Sequence, residues 1–125
     1  MSTLPKHAVA LVAEDEPLLR MEAVDLLEDA GFTVLEAANT TQALRHLADT
    51  DTIELLYTDI EMPGPIDGID LANEVAARWP QVRIVVCSGR VQPDEGRLPS
   101  QARFVSKPVS SALILSTVEK VLPHG

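Results

Sequence analysis

At 125 residues, with 46% of them apolar, the chain suits one domain with a single core and argues against disorder. Ten basic against nineteen acidic residues leave a net charge of −9, which opposes direct binding to nucleic acid or to an anionic membrane. The sequence has no run of about eighteen apolar residues, and residues 1–7 lack the apolar segment of a secretory signal, so a cytoplasmic location is expected.

Residues 7–13 form a continuous apolar run, as expected of a strand covered on both faces, and the run ends in Glu14, Asp15 and Glu16. Pro17 suits a first helical turn, and Leu18, Leu19, Met21, Val24, Leu27 and Ala30 recur at helical spacing until Gly31 provides a stop. Residues 32–36 read as a second strand. Asn39 or Thr40 can cap a helix whose apolar positions are Ala43, Leu44, Leu47 and Ala48. Residues 53–58 read as a third strand that stops at one carboxylate, Asp59, after which Pro63 and Gly64 force a loop.

Ile69, Leu71, Ala72, Val75, Ala76 and Trp79 predict a helix over 68–79, ended by Pro80. Residues 82–88 read as a fourth strand closed by Gly89. Between 90 and 102, where the alternation asks for a helix, stand Pro93, Gly96 and Pro99. An interior proline costs about 3 kcal/mol, so this fourth helix is expected to be reduced to a turn or a loop. Residues 103–106 read as a short fifth strand followed by Lys107 and Pro108. Ser110 or Ser111 can cap a last helix carrying Leu113, Ile114, Val118, Val121 and Leu122. Five strands alternating with helices predict an α/β chain: a doubly wound, five-stranded parallel sheet in three layers, as one domain over 1–125 with its core over about 7–122.

Parallel strands end on one edge, where ligands of open α/β sheets bind. Glu14 and Asp15 follow the first strand, Asp59 the third, Ser88 ends the fourth, and Lys107 follows the fifth. Two carboxylates about 5 Å apart repel by about 3 kcal/mol at an effective dielectric near 20, so such a cluster calls for a cation. All-oxygen ligation, with no His or Cys beside it, favours Mg²⁺ or Mn²⁺ over zinc. A hard cation, a lysine, a hydroxyl and one free carboxylate together make a constellation for an aspartyl phosphate. Cys87, the one cysteine, follows Ile84, Val85 and Val86 and is expected to be a buried, inert thiol.

In these motifs the sequence resembles the receiver domain of bacterial two-component response regulators. The resemblance spans essentially the whole chain and rests on the acidic pair within residues 12–17, the run from Thr58 to Gly64, Ser88-Gly89 and Lys107-Pro108. It implies a flavodoxin-like sheet of order 2-1-3-4-5, with Asp59 as phosphoacceptor. It further implies that Asp15, Asp59 and the backbone carbonyl of Glu61 bind Mg²⁺, and that Glu14 holds the ion through water. Ser88 would turn toward the phosphoryl group, Lys107 would bridge it, and Phe104 would be the switch aromatic. The chain departs from the family pattern at Glu14, where Asp is usual, in a loop over 64–68 about one residue longer than usual, and in the short interval between Ser88 and Lys107.

The implied partners are a histidine kinase or phosphotransfer protein and a downstream protein target, and a homodimer is left open. The chain would not be a turnover enzyme, catalysing only its own phosphoryl transfer and dephosphorylation. Glu61 and Arg90, two residues past Asp59 and Ser88, are placed to pair over the phosphoryl group and slow its hydrolysis. Two alternatives remain: a receiver-like interaction module that is never phosphorylated, and a haloacid-dehalogenase-type phosphatase. The latter matches imperfectly, because Glu61 stands where that chemistry normally has Asp, and the chain is short for a substrate cap.

Overall fold

Alternation along the strands divides their side chains between two apolar layers. In the computed structural model, which describes residues 8–89, 97–107, 112, 113, 116 and 117, the elements are β1 (Val9–Ala13), α1 (Pro17–Asp29), β2 (Thr33–Ala37), α2 (Thr40–Asp49), β3 (Ile53–Asp59), α3 (Gly68–Arg78), β4 (Arg83–Ser88) and β5 (Ala102–Ser106). Leu11, Leu56, Ile84 and Val86 meet Ala43 and Leu47 of α2 and Ile69, Ala72 and Val75 of α3. Ala10, Val12, Leu55, Tyr57, Val85 and Cys87 take the opposite face, against Ala23 and Leu27 of α1. Burial of each such leucine contributes about 2 kcal/mol, so the layers stabilise the sheet from both sides.

All four pairings are parallel, in the order β2-β1-β3-β4-β5. The chain winds outward from β1 to β2, then returns to lay β3, β4 and β5 on the other side. This reversal opens a crevice at the carboxyl ends of β1 and β3. The register brings the functional positions level: Ala13 lies beside Thr58, Asp59 beside Cys87, and Ser88 beside Ser106. The next residues of three strands continue the ladder, with Glu14 N–H donating to Ala37 O, Ile60 N–H to Cys87 O and Lys107 N–H to Ser88 O, each at 3.0 Å. The rim from which the side chains project is therefore held by backbone bonds.

The helices begin where the sequence indicates. Glu16 caps α1 by accepting the Leu19 N–H, with Pro17 in the first turn, and Gly31, at a φ of 107°, ends it. Asn39, not Thr40, caps α2 by accepting from Gln42 N–H at 2.8 Å. Asp67 and Asp70 form a capping box at the start of α3. Trp79, expected inside that helix, is its C-cap.

One further expectation changes, and another holds. Leu18, Leu19 and Met21 are exposed on α1, at 67%, 38% and 59%, whereas Ala23 and Leu27 are its buried residues. The apolar spacing does not choose between two faces of this helix, and the small Ala23 permits the closer approach to the sheet. In the segment predicted to lack a full helix, residues 97–101 are non-helical. They are tied down instead by Asn73 of α3, which donates to Arg97 O at 2.9 Å, and by Leu98, which packs on the core. The expectations for Arg90, Pro93, Gly96, Pro108, Ser110 and Ser111 lie outside the described residues. Of the predicted last helix, residues 112, 113, 116 and 117 are described, and they are helical.

Candidate functional site

β1 and β3 run side by side through the core and emerge at the crevice, each ending in an acid. Glu14 and Asp59 are 3% and 7% exposed, so both carboxylates are withdrawn from water. Between them lies Lys107 from the end of β5, its Nζ donating to Asp59 Oδ2 at 2.8 Å and to Glu14 Oε1 at 3.0 Å. Residues 14, 59 and 107 are thus brought within one hydrogen-bonded cluster. The positive charge that the acidic cluster demands is supplied by the chain itself.

Each carboxylate is also oriented by backbone. Glu14 Oε2 accepts from Glu16 N–H at 3.0 Å, and Asp59 Oδ1 accepts from Glu61 N–H at 3.2 Å. Burial pushes the Glu14 carboxyl above its ordinary value of 4.5; the Glu16 N–H and Lys107 pull it down, while Asp59 adds to the rise. Burial would lower Lys107, but the hydrogen bonds to Asp59 and Glu14 prevail and hold its ammonium well above the usual range. Cys87 is fully buried, and burial raises its thiol to about 11, so it is not a thiolate at neutral pH.

The rise at Glu14 has a measurable sign. The native state holds this proton more tightly than the unfolded chain, so the associated stability is full below pH 4.5 and is lost as pH rises through the raised native value. Glu14→Gln, neutral throughout, is expected to compare more favourably with the wild type at pH 7 than at pH 4 in metal-free thermal unfolding. The reverse trend would mean that Lys107 outweighs burial.

Asp15 and Ser88 stand at the same ends of their strands, and Glu61 follows β3 there. Asp15 follows Glu14 and is exposed. Ser88 is 2% exposed, and its hydroxyl donates to Glu61 Oε1 at 3.5 Å, a long contact. Glu61 thus approaches Ser88, while Arg90, its expected partner, lies outside the described residues. Phe104 is half-buried and packs against the layer beneath α2 and α3. Glu14 meets Lys107 directly, a contact that the expectation of a purely water-mediated metal role did not include.

Two residues escaped the sequence reading. Gly68 begins α3 so close to β3 that an added Cβ would lie 1.9 Å from Asp59 O and 2.8 Å from Ile60 Cα. An Asp-Gly pair opening a helix was the available signal. Arg20 reaches from α1 to donate to Glu14 O at 3.0 Å and to Glu36 Oε1 at 3.2 Å. No local pattern marks it, because its partners are a backbone oxygen and a side chain sixteen residues away.

Among the described residues, no group of three or more carboxylate, imidazole or thiolate side chains is arranged to hold a metal ion. Mg²⁺ is usually held by one or two carboxylates, with waters and substrate phosphate completing its shell. The carboxylates of Asp15 and Asp59 at this rim are of the donor type and number that this ion takes. Among the described residues no helix is long and apolar enough to cross a membrane.

Comparison with known proteins places this geometry. The response regulator receiver domain family matches residues 10–119. The chain is 32% identical over 123 residues to the sensor kinase CckA of Brucella abortus (strain 2308), covering 95% of this chain and 13% of that protein. It is 34% identical over 116 residues to the response regulator receiver protein CpdR of the same organism, covering 90% of this chain and 94% of CpdR. The crystal structure of a response regulator receiver protein from Sinorhizobium medicae WSM419 aligns with a TM-score of 0.84 at 26% identity, over 93% of this chain and 94% of that one. The chain spans about half or less of the length of the first curated relatives it matches. With the sheet order, the rim and the family match in agreement, the chain belongs to the response regulator receiver domain family of two-component systems.

Proposed function

We propose that this receiver takes a phosphoryl group onto Asp59 from the phosphohistidine of a histidine kinase or phosphotransfer protein, and that the acyl phosphate switches the binding of a downstream protein. The observation that carries this reading is the Lys107 ammonium bridging Asp59 and Glu14 at the mouth of the crevice. Such a bridge orients the Asp59 carboxylate, and it places a cation where phosphoryl oxygens would arrive.

A carboxylate oxygen of Asp59 attacks phosphorus in line as the phosphorus–nitrogen bond of the donor breaks, and the imidazole leaves with the electron pair and is then protonated. Oδ1, with the longer 3.2 Å bond from Glu61 N–H, is the oxygen more easily released for attack, while Lys107 steadies Oδ2. Lys107 then shifts part of its bonding to the phosphoryl group. The Ser88 hydroxyl exchanges its long contact with Glu61 for a phosphoryl oxygen, and Phe104 repacks beside it. Asp15, Asp59, the Glu61 carbonyl and, through water, Glu14 would hold Mg²⁺, which supplies charge neutralisation to the phosphoryl oxygens when bound. Glu61 and Arg90 together would limit attack by water on the product. The reaction is confined to the chain's own acyl phosphate, in a cytoplasmic setting.

Short incubation with phosphoramidate, and with a panel of purified histidine kinases, tests the reading without knowledge of the natural donor. Labelling is expected to require Mg²⁺, to fall to background in EDTA and to be removed by hydroxylamine, as for an acyl phosphate. A label indifferent to all of these, or none from any donor, would overturn it.

A further inference from the structure

Glu14 and Asp15 share a peptide plane, and that plane is held from outside the crevice. Glu14 O, in that plane, accepts from Arg20 Nη1 at 3.0 Å, and the peptide before it is fixed by Glu14 N–H donating to Ala37 O at the end of β2. The same guanidinium donates through Nε to Glu36 Oε1 at 3.2 Å, and the Glu36 carbonyl in turn accepts from His46 Nε2 of α2 at 2.9 Å. Arg20 thus joins α1, the β1–α1 turn and the end of β2, with its side chain only 21% exposed. A planar fork suits this task, because two rigidly related donors fix a carbonyl against a carboxylate. Asp15 is itself exposed, so its direction follows from the orientation of the peptide before it.

We propose that Arg20 is a positioning residue for the acidic rim: by pinning the Glu14 carbonyl it aims the Asp15 carboxylate, and with it the Mg²⁺ affinity of the site. This rests on the function proposed above. Arg20 touches neither the ion nor the phosphoryl group. It acts on the ligand's backbone, as outer groups commonly do around metals.

Mg²⁺ titration by calorimetry, with metal-free thermal unfolding measured in parallel, separates this role from a merely structural one. Arg20→Ala is expected to weaken Mg²⁺ binding about tenfold, the lower end of the usual effect of such outer groups. Arg20→Lys keeps one donor and should fall between Ala and the wild type. Glu36→Ala removes the other end of the tie but leaves Glu14 O bonded, so its affinity should stay within about threefold of the wild type. If Arg20→Ala does not fold, the ordering of wild type, Glu36→Ala and Arg20→Lys carries the test. Arg20 variants binding Mg²⁺ as the wild type does, or Glu36→Ala as weak as either, would overturn the role of Arg20 and leave the proposed function standing. A wild type that binds no Mg²⁺ and takes no label would instead overturn the function itself.

Discussion

Asp59→Asn is expected to reduce hydroxylamine-sensitive labelling by phosphoramidate to background while the protein remains folded by circular dichroism. The substitution replaces an anionic oxygen nucleophile with an amide of nearly the same size, leaving the strand end and the Ile60–Cys87 backbone bond in place. Lys107 loses one of its two charged partners but keeps Glu14 at 3.0 Å. The fall should therefore lie in chemistry and not in folding. Retention of the label by the Asp59→Asn variant would contradict the assignment, and its loss together with the fold would require the conservative Asp59→Glu variant for comparison.

Gly68→Ala should have the largest effect on stability. The added methyl would meet Asp59 O at 1.9 Å, Asp59 C at 2.7 Å and Ile60 Cα at 2.8 Å, all backbone atoms that no rotamer can move. Gly68 N–H donates to Ile60 O at 2.8 Å, so helix and strand end are fastened at the point where space is lacking. Relief requires α3 or the Asp59 peptide to shift. A loss of about 3 kcal/mol or more is expected, with a thermal midpoint lower by about 10 °C or more. Phosphorylation of whatever folds should also slow, since the shift is imposed on the acceptor's own carbonyl. A variant within about 1 kcal/mol of the wild type would show that this approach is readily relaxed.

The sheet was legible because its central strands are buried on both faces: the apolar runs before Glu14, Asp59 and Gly89 can serve few other ends. Placement of Glu14, Asp59 and Lys107 on one rim followed from strand direction alone, and the register confirms it. What the strand pattern could not supply was side-chain pairing. The acidic repulsion calls for positive charge, and Lys107, distant in sequence, lies between Glu14 and Asp59 and supplies part of it. Glu61, its N–H bonded to Asp59, approaches Ser88 from a residue 27 positions away, a contact that offset along the strands does not reveal.

The helices were harder to orient than to locate. α1 offers apolar side chains around much of its circumference, and only packing reveals that Ala23 and Leu27 face the sheet while Leu18 and Met21 face water. Between β4 and β5 the prolines and glycine argue against a helix, and residues 97–101 agree, but the anchor Asn73 is a single polar residue on the preceding helix, with nothing in its surroundings to mark it.

Borohydride reduction of the freshly labelled protein, followed by peptide mass spectrometry, tests acceptance at the crevice most directly, because it converts an aspartyl phosphate to homoserine where it stands. The expected product is homoserine at position 59 alone, absent when Mg²⁺ is withheld. Homoserine at another acid, or phosphate stably bound to a serine, threonine or histidine with position 59 unchanged, would contradict the account.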